Sequence, residues 1–271
     1  MGFYKEDLSC HSYQDSKYAQ DLFGKSGYVL LKNFCTPLEV EYLKSNYSDL
    51  TLYTTPHYHS INYLYKYIKK NYNEIRLLEI VKRIFKKRIE ISLQKNADFL
   101  VLDYCCRHNI SPNDITRLTN SYLSHTFYRF NRQFAGQSYH AHVDLPGEVQ
   151  CVLYLSKKGI DYESGGLHVL TEDDRDIDVD SLAAPGDLVI LNSYARKHYV
   201  DAVVTKSSKD FGRFTLFVPV IPEYIFGPFY YFRNNRFKLY FADYVKVPDK
   251  VLMYLKYFYS LIKLSPKPPV D

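Results

Sequence analysis

The run E-V-Q-C-V-L-Y-L at residues 148–155 decides the fold, together with the pieces that follow it: L-H-V-L at 167–170, D-L-V-I-L at 187–191, Y-V-D-A-V-V at 199–204 and R-F-T-L-F-V-P-V at 213–220. Each is short and rich in β-branched, aliphatic and aromatic residues, and T-F-Y-R-F-N at 126–131 opens the series. Turn residues divide the pieces at Pro146 and Gly147, Lys158 and Gly159, Ser164 to Gly166, Pro185 to Asp187, and Ser207 to Gly212. Strands so short and so regularly punctuated predict a sandwich or jelly roll rather than alternating βα units.

Upstream of this region the pattern is helical, with one early strand. Gly27 to Lys32 is a β-like run, and Thr36 with Pro37 opens a helix through Val40, Leu43 and Tyr47. Polar breaks near Thr54 to His59 separate it from a basic stretch between Lys66 and Arg88. There Leu77, Leu78, Val81, Ile84, Phe85 and Ile89 recur at helical spacing, so Lys82, Arg83, Lys86, Lys87 and Arg88 are expected on a solvated helix face. A loop at Asn109 to Asn113 leads into another helix through Ile115, Leu118 and Tyr122. After Pro219 an aromatic connection precedes a C-terminal helix with Val251, Leu255, Phe258 and Ile262 on one face; it is expected to pack on the sheet, with a homodimer contact as the second reading.

The expected organisation is one domain over residues 1–271, with mostly helical support at 1–124, the β-rich core at 125–220 and a C-terminal extension at 221–271. The chain of 271 residues is 46% hydrophobic and 24% charged with no low-complexity tract, so it should fold over most of its length. A net charge of +5, spread out and without a nucleic-acid module signature, argues against a nucleic-acid partner. Cys10, Cys35, Cys105, Cys106 and Cys151 form no C-x-x-C pair and no disulfide framework, which fits a reducing cytosol. No apolar run is long enough to cross a bilayer, so no membrane role is expected.

The chemistry concentrates in H-A-H-V-D at residues 140–144 and in His198. Two imidazoles and a carboxylate on one face of an octahedral metal leave the opposite face open, the arrangement of a mononuclear Fe(II) site that must admit substrate and dioxygen. Alternate residues of a strand share a face, so His142 and Asp144 can chelate together. A regular strand would add His140 to that face, and His140 with His142 and a distant histidine would instead make a cupin or zinc site. The donors alone suit Mn, Co or Zn as well as iron.

Over about residues 125–220 the chain resembles the Fe(II)/2-oxoglutarate-dependent oxygenase superfamily. G-Q-S-Y-H-A-H-V-D at 136–144 is similar to the approach to the iron in its prolyl-hydroxylase-like branch, and G-Y-V-L-L-K-N-F at 27–34 is closer to the phytanoyl-CoA dioxygenase-like branch. G-G-L-H-V and P-G-D-L-V-I-L are also similar to family elements. The resemblance implies a double-stranded β-helix, mainly β with flanking helices, in which His142, Asp144 and His198 hold Fe(II) and Arg213 grips the distal carboxylate of 2-oxoglutarate. The guanidinium fork suits a carboxylate, and Thr215, two residues on, adds a hydroxyl on the same strand face. Tyr139, Tyr128 and Asn131 are further candidates to bond the cosubstrate, and His168 is expected as a wall residue. Lys158, Arg196 and Lys197 are available to an anionic substrate group. With O2 the implied activity is hydroxylation of a C–H bond with release of succinate and CO2. The expected substrate is a small molecule: an amino acid, a natural-product intermediate, or an acyl or sugar derivative. A peptidyl hydroxylase and a non-oxidative cupin-like metal-binding protein are the alternatives.

Overall fold

A computed structural model describes residues 16–48, 59–64, 75–92, 98–123, 127–144, 149–207 and 211–218. The chain forms two compact units, Met1–Ile225 and Phe226–Asp271. The second unit, with the expected C-terminal helix and its dimer contact, lies outside the described residues.

The strands are β1 Tyr28–Leu31, β2 His59–Leu64, β3 Phe127–Gln133, β4 Tyr139–His142, β5 Gln150–Tyr154, β6 Ser164–Leu170, β7 Asp176–Asp178, β8 Leu188–Leu191, β9 His198–Val204 and β10 Arg213–Val218. A six-stranded sheet runs β1-β8-β5-β10-β3-β2, and a four-stranded sheet runs β4-β9-β6-β7. Neighbours pair antiparallel throughout. Strands β3 to β10 contribute four strands to each sheet, passing between the sheets at every step except β6 to β7, the arrangement of a jelly roll, or double-stranded β-helix.

Alternation along each strand sorts its side chains between two cores. Phe214, Leu216 and Val218 of β10, with Cys151 and Leu153 of β5, pack in the cluster that also holds Leu43, Leu77, Ile84 and Phe85 of the helices. Val152 and Tyr154 of β5 join Leu167, Val169, Val189 and Leu191 in a second cluster, formed by both sheets. Arg213 and Thr215 share the parity of Phe217, which packs on that second cluster, so their side chains belong to the space between the sheets.

The helical support comprises α1 Ser16–Ser26, α2 Pro37–Tyr47, α3 Ile75–Ser92, α4 Phe99–His108 and α5 Ile115–Leu123. Helix α2 starts where Thr36 and Pro37 predict, with a capping box: the Thr36 hydroxyl accepts from the Glu39 N–H, and the Glu39 carboxylate accepts from the Thr36 N–H. Two expectations change. His59–Leu64, placed at the end of a polar break, begins a strand that pairs with β3. The basic stripe of α3 is only partly solvated: Lys87 is buried beside Glu90, and Arg88 is fully buried. The Arg88 fork binds Asp98 at 2.7 and 2.9 Å, and Asp98 also accepts from the Val101 N–H to start α4. Burying that guanidinium is tolerable only because a carboxylate meets it.

Burial raises the thiol pKa values of Cys35 and Cys151 to about 12 and that of Cys105 to about 11. These cysteines are inert packing residues rather than nucleophiles. Among the described residues no helix is long and apolar enough to cross a membrane.

Candidate metal centre

His142 closes β4 and His198 opens β9, and the two are directly opposed across that antiparallel pair. Cross-strand opposition is what brings residues so distant in sequence together. Their rings lie 4.4 Å apart between centroids, tilted by 51°. Asp144 lies just past β4, tied by its backbone N–H to the Ser193 carbonyl at 2.9 Å. One ligand atom from each of the three lies within 4.8 Å of the others.

The alternative through His140 is not the one the strand builds. A register shift between Tyr139 and His142 interrupts regular alternation, and His140 is exposed. Its carbonyl has a supporting part instead: it lies 2.8 Å from His142 Nδ1, and the Arg196 carbonyl lies 3.1 Å from His198 Nδ1. A carbonyl can only accept, so both Nδ1 atoms carry the proton and both Nε2 lone pairs face inward.

His142 Nε2 stands 3.3 Å from Asp144 Oδ1, and His198 Nε2 stands 3.6 Å from Asp144 Oδ2. Electron-rich atoms this close repel one another unless a cation stands between them, so the donor set fits a divalent metal. Burial lowers the His198 pKa, although Asp144 opposes it, favouring the neutral ring that can ligate. For Asp144 burial works against the charge, but the side chains of His142, His198 and Ser193 around it outweigh it, and the carboxyl stays below its usual range. Gln150 Nε2 donates to Asp144 Oδ2 and orients it.

Arg213 has closed its fork on a partner that the sequence did not suggest. Its Nε donates to Asp180 Oδ2 at 2.6 Å, its Nη2 to Asp180 Oδ1 at 3.1 Å and its Nη1 to Gln133 Oε1 at 2.7 Å. Asp180 lies in the short helix α6, Val179–Leu182, and is 1% exposed. It also accepts from Tyr154 Oη at 2.6 Å, from Tyr162 Oη, and from the Leu167 N–H at 2.8 Å. Burial alone would raise its pKa, but Arg213 holds it below the usual carboxylate range. Burial first, and then the Asp180 charge, push both tyrosines up.

Among the other candidates, Thr215 is buried on β10 opposite Asn131 of β3, whose buried Oδ1 has no hydrogen-bond partner among the described residues. Tyr139 meets the His142 ring edge-on at 4.7 Å. Tyr128 falls in β3, and its side chain lies outside the described residues. His168 stands apart from the triad, stacked on Tyr199 and 3.0 Å from Asp176. Lys158 pairs with Asp178 at 2.6 Å, and Arg196 pairs with Glu172 at 2.6 Å while bonding the carbonyls of Lys25 and Ser26. Lys197 is exposed. Gln133, Gln150, Tyr154, Tyr162 and Asp180 escaped the sequence reading. Only the inward parity of Gln133, Gln150 and Tyr154 could have marked any of them.

No protein-family model matches the chain. No curated protein matches it either. Solved structures do. An oxidoreductase of the 2OG-Fe(II) oxygenase family from Burkholderia pseudomallei is 12% identical, over 78% of this chain and 92% of that one, with a TM-score of 0.44. A prolyl hydroxylase from Trichoplax adhaerens, in complex with a hypoxia inducible factor peptide fragment, is 12% identical over 77% and 89%, at 0.46. EctD from S. alaskensis, with 2-oxoglutarate and 5-hydroxyectoine, is 14% identical over 78% and 79%, at 0.45. Likenesses this loose carry no argument of their own. The strand order and the opposed triad do: they make this chain a jelly roll with two histidines and an aspartate converging at the junction of β4 and β9.

Proposed function

We propose that this chain is an Fe(II)- and 2-oxoglutarate-dependent dioxygenase that hydroxylates a C–H bond of a small molecule, with succinate and CO2 as co-products. One observation carries the reading: His142, Asp144 and His198 converge with both Nε2 atoms turned inward, on a double-stranded β-helix. Bound iron would supply dioxygen activation, with oxidative decarboxylation of the cosubstrate as its driving reaction. The chain's own residues do the rest. The carbonyls of His140 and Arg196 fix the imidazole tautomers, Gln150 holds the carboxylate, and the burial of Asp144 and His198 limits water at the ligands.

Arg213 is the proposed anchor for the distal carboxylate of the cosubstrate, with Thr215 and Asn131 on the same inner face. That the cradle around Arg213 suits a carboxylate is supported by the one it already holds, Asp180. The proposed substrates are amino acids, natural-product intermediates, or acyl or sugar derivatives, with peptidyl side chains to be screened beside them.

The test is anaerobic optical titration with Fe(II) and then 2-oxoglutarate. A weak visible charge-transfer band in the wild type, absent in His198→Ala, is the expected result. Metal bound at the triad with no response to 2-oxoglutarate would overturn the oxygenase reading and select the non-oxidative, cupin-like one.

A further inference from the structure

Five hydrogen bonds converge on the two oxygens of Asp180: two from the Arg213 fork, one each from the hydroxyls of Tyr154 and Tyr162, and one from the Leu167 N–H. A guanidinium fork with two hydroxyls and an amide, all buried, is a complete receptor for one carboxylate. The chain is shaped to deliver one. Gly166, at φ +114°, lies so close beneath Asp180 that a Cβ there would collide with its carboxylate. Asp178 caps α6 by accepting from the Ser181 N–H at 3.0 Å, which fixes the turn that carries Asp180 inward.

We infer that Asp180 is a specificity-determining residue: a built-in carboxylate that competes with the distal carboxylate of a 2-oxo diacid for the Arg213 cradle. The inference rests on the proposed function and concerns which 2-oxo acid that function uses. Two carboxylates cannot share one buried fork, because like charges a few ångströms apart in a dry interior repel strongly. A 2-oxo diacid seats its far end only by displacing Asp180. A 2-oxo acid with a short apolar tail does not need the fork.

The test is anaerobic calorimetry on Mn(II)-loaded protein with 2-oxoglutarate and with 2-oxobutyrate, for the wild type, Asp180→Asn and Asp180→Ala. Asparagine keeps the shape and an acceptor oxygen while removing the charge. Both variants are expected to bind 2-oxoglutarate tighter by roughly tenfold or more, and 2-oxobutyrate within about twofold of wild type. Weaker or unchanged 2-oxoglutarate binding would overturn the competition and leave Asp180 as a positioning residue for Arg213.

The wild type is informative without any variant. It should separate the two acids by less than about tenfold, and a preference for 2-oxoglutarate of more than about a hundredfold would also overturn the inference. A metal-free arm separates this inference from the function it rests on. Acetate should raise the unfolding temperature of Asp180→Ala and leave that of the wild type unchanged; no acetate response in a folded variant would remove the cradle. Binding of neither 2-oxo acid, with Mn(II) in place, would sink the oxygenase reading and Asp180's part in it.

Discussion

Gln150 shows how a residue without chemistry of its own can govern one that has it. It opens β5, and its side-chain amide donates to the Asp144 carboxylate, which also faces both histidines. The amide restrains a carboxylate that would otherwise rotate freely on its short stem. Gln150→Ala is therefore expected to weaken metal binding about 10- to 100-fold with little loss of fold stability, as read by competition with a chromophoric chelator. Unchanged affinity would mean that the Ser193 backbone contact suffices to orient Asp144. Parity along β5 was the only sequence signal for Gln150, since a glutamine at a strand start is otherwise unremarkable. His142, Asp144 and His198 stood out because imidazole and carboxylate are residue types that ligate.

At the scale of elements, the most legible boundary is the start of α2. Thr36, Pro37 and Glu39 are adjacent in sequence, and the capping box joins only those neighbours, so the pattern carries its own geometry. Thr36→Ala should cost about 1 kcal/mol, measured by urea unfolding at neutral pH. A negligible change would assign the helix start to Pro37 and to the Glu39 bond with Arg83, at 2.9 Å. Helix α3 was legible in its apolar stripe and misread in its charges. The burial of Arg88 depends on Asp98, which approaches from the start of another helix, and helical spacing holds no record of that approach. Strands β7 and β2 were missed for a related reason: D-I-D and H-S-I-N-Y-L are too polar to announce strands, and they form against partners that already exist.

For the whole molecule, acid should act through carboxylates held low by their partners. Asp180, Asp178 and Glu39 all have folded pKa values below the ordinary range: burial opposes the charge in each, and Arg213, Lys158 and Arg83 respectively outweigh it. Because the folded values are depressed, their stabilisation is complete above the unfolded carboxylate value of about 4 and is lost as pH falls from there through the folded values. Denaturant midpoints measured from pH 7 down to about pH 3 should therefore hold level and then drop, and Asp180→Asn should flatten part of that drop. An equal drop in the variant would mean that Asp180 contributes nothing to acid sensitivity.

The sequence by itself determined the succession of the apolar strands, though not β2 and β7, together with the helical support before them and the three residue types able to hold a metal. These properties are local: alternation, turn chemistry, caps and donor type are written in adjacent residues. Tertiary structure alone decided that a register shift leaves His140 outside the triad while its carbonyl orients His142, that Arg88 is buried, and that the Arg213 fork closes on Asp180. Each of these is a choice of partner across strands or helices that the crossovers bring together. That choice depends on register and close packing over distances at which the order of residues carries no signal.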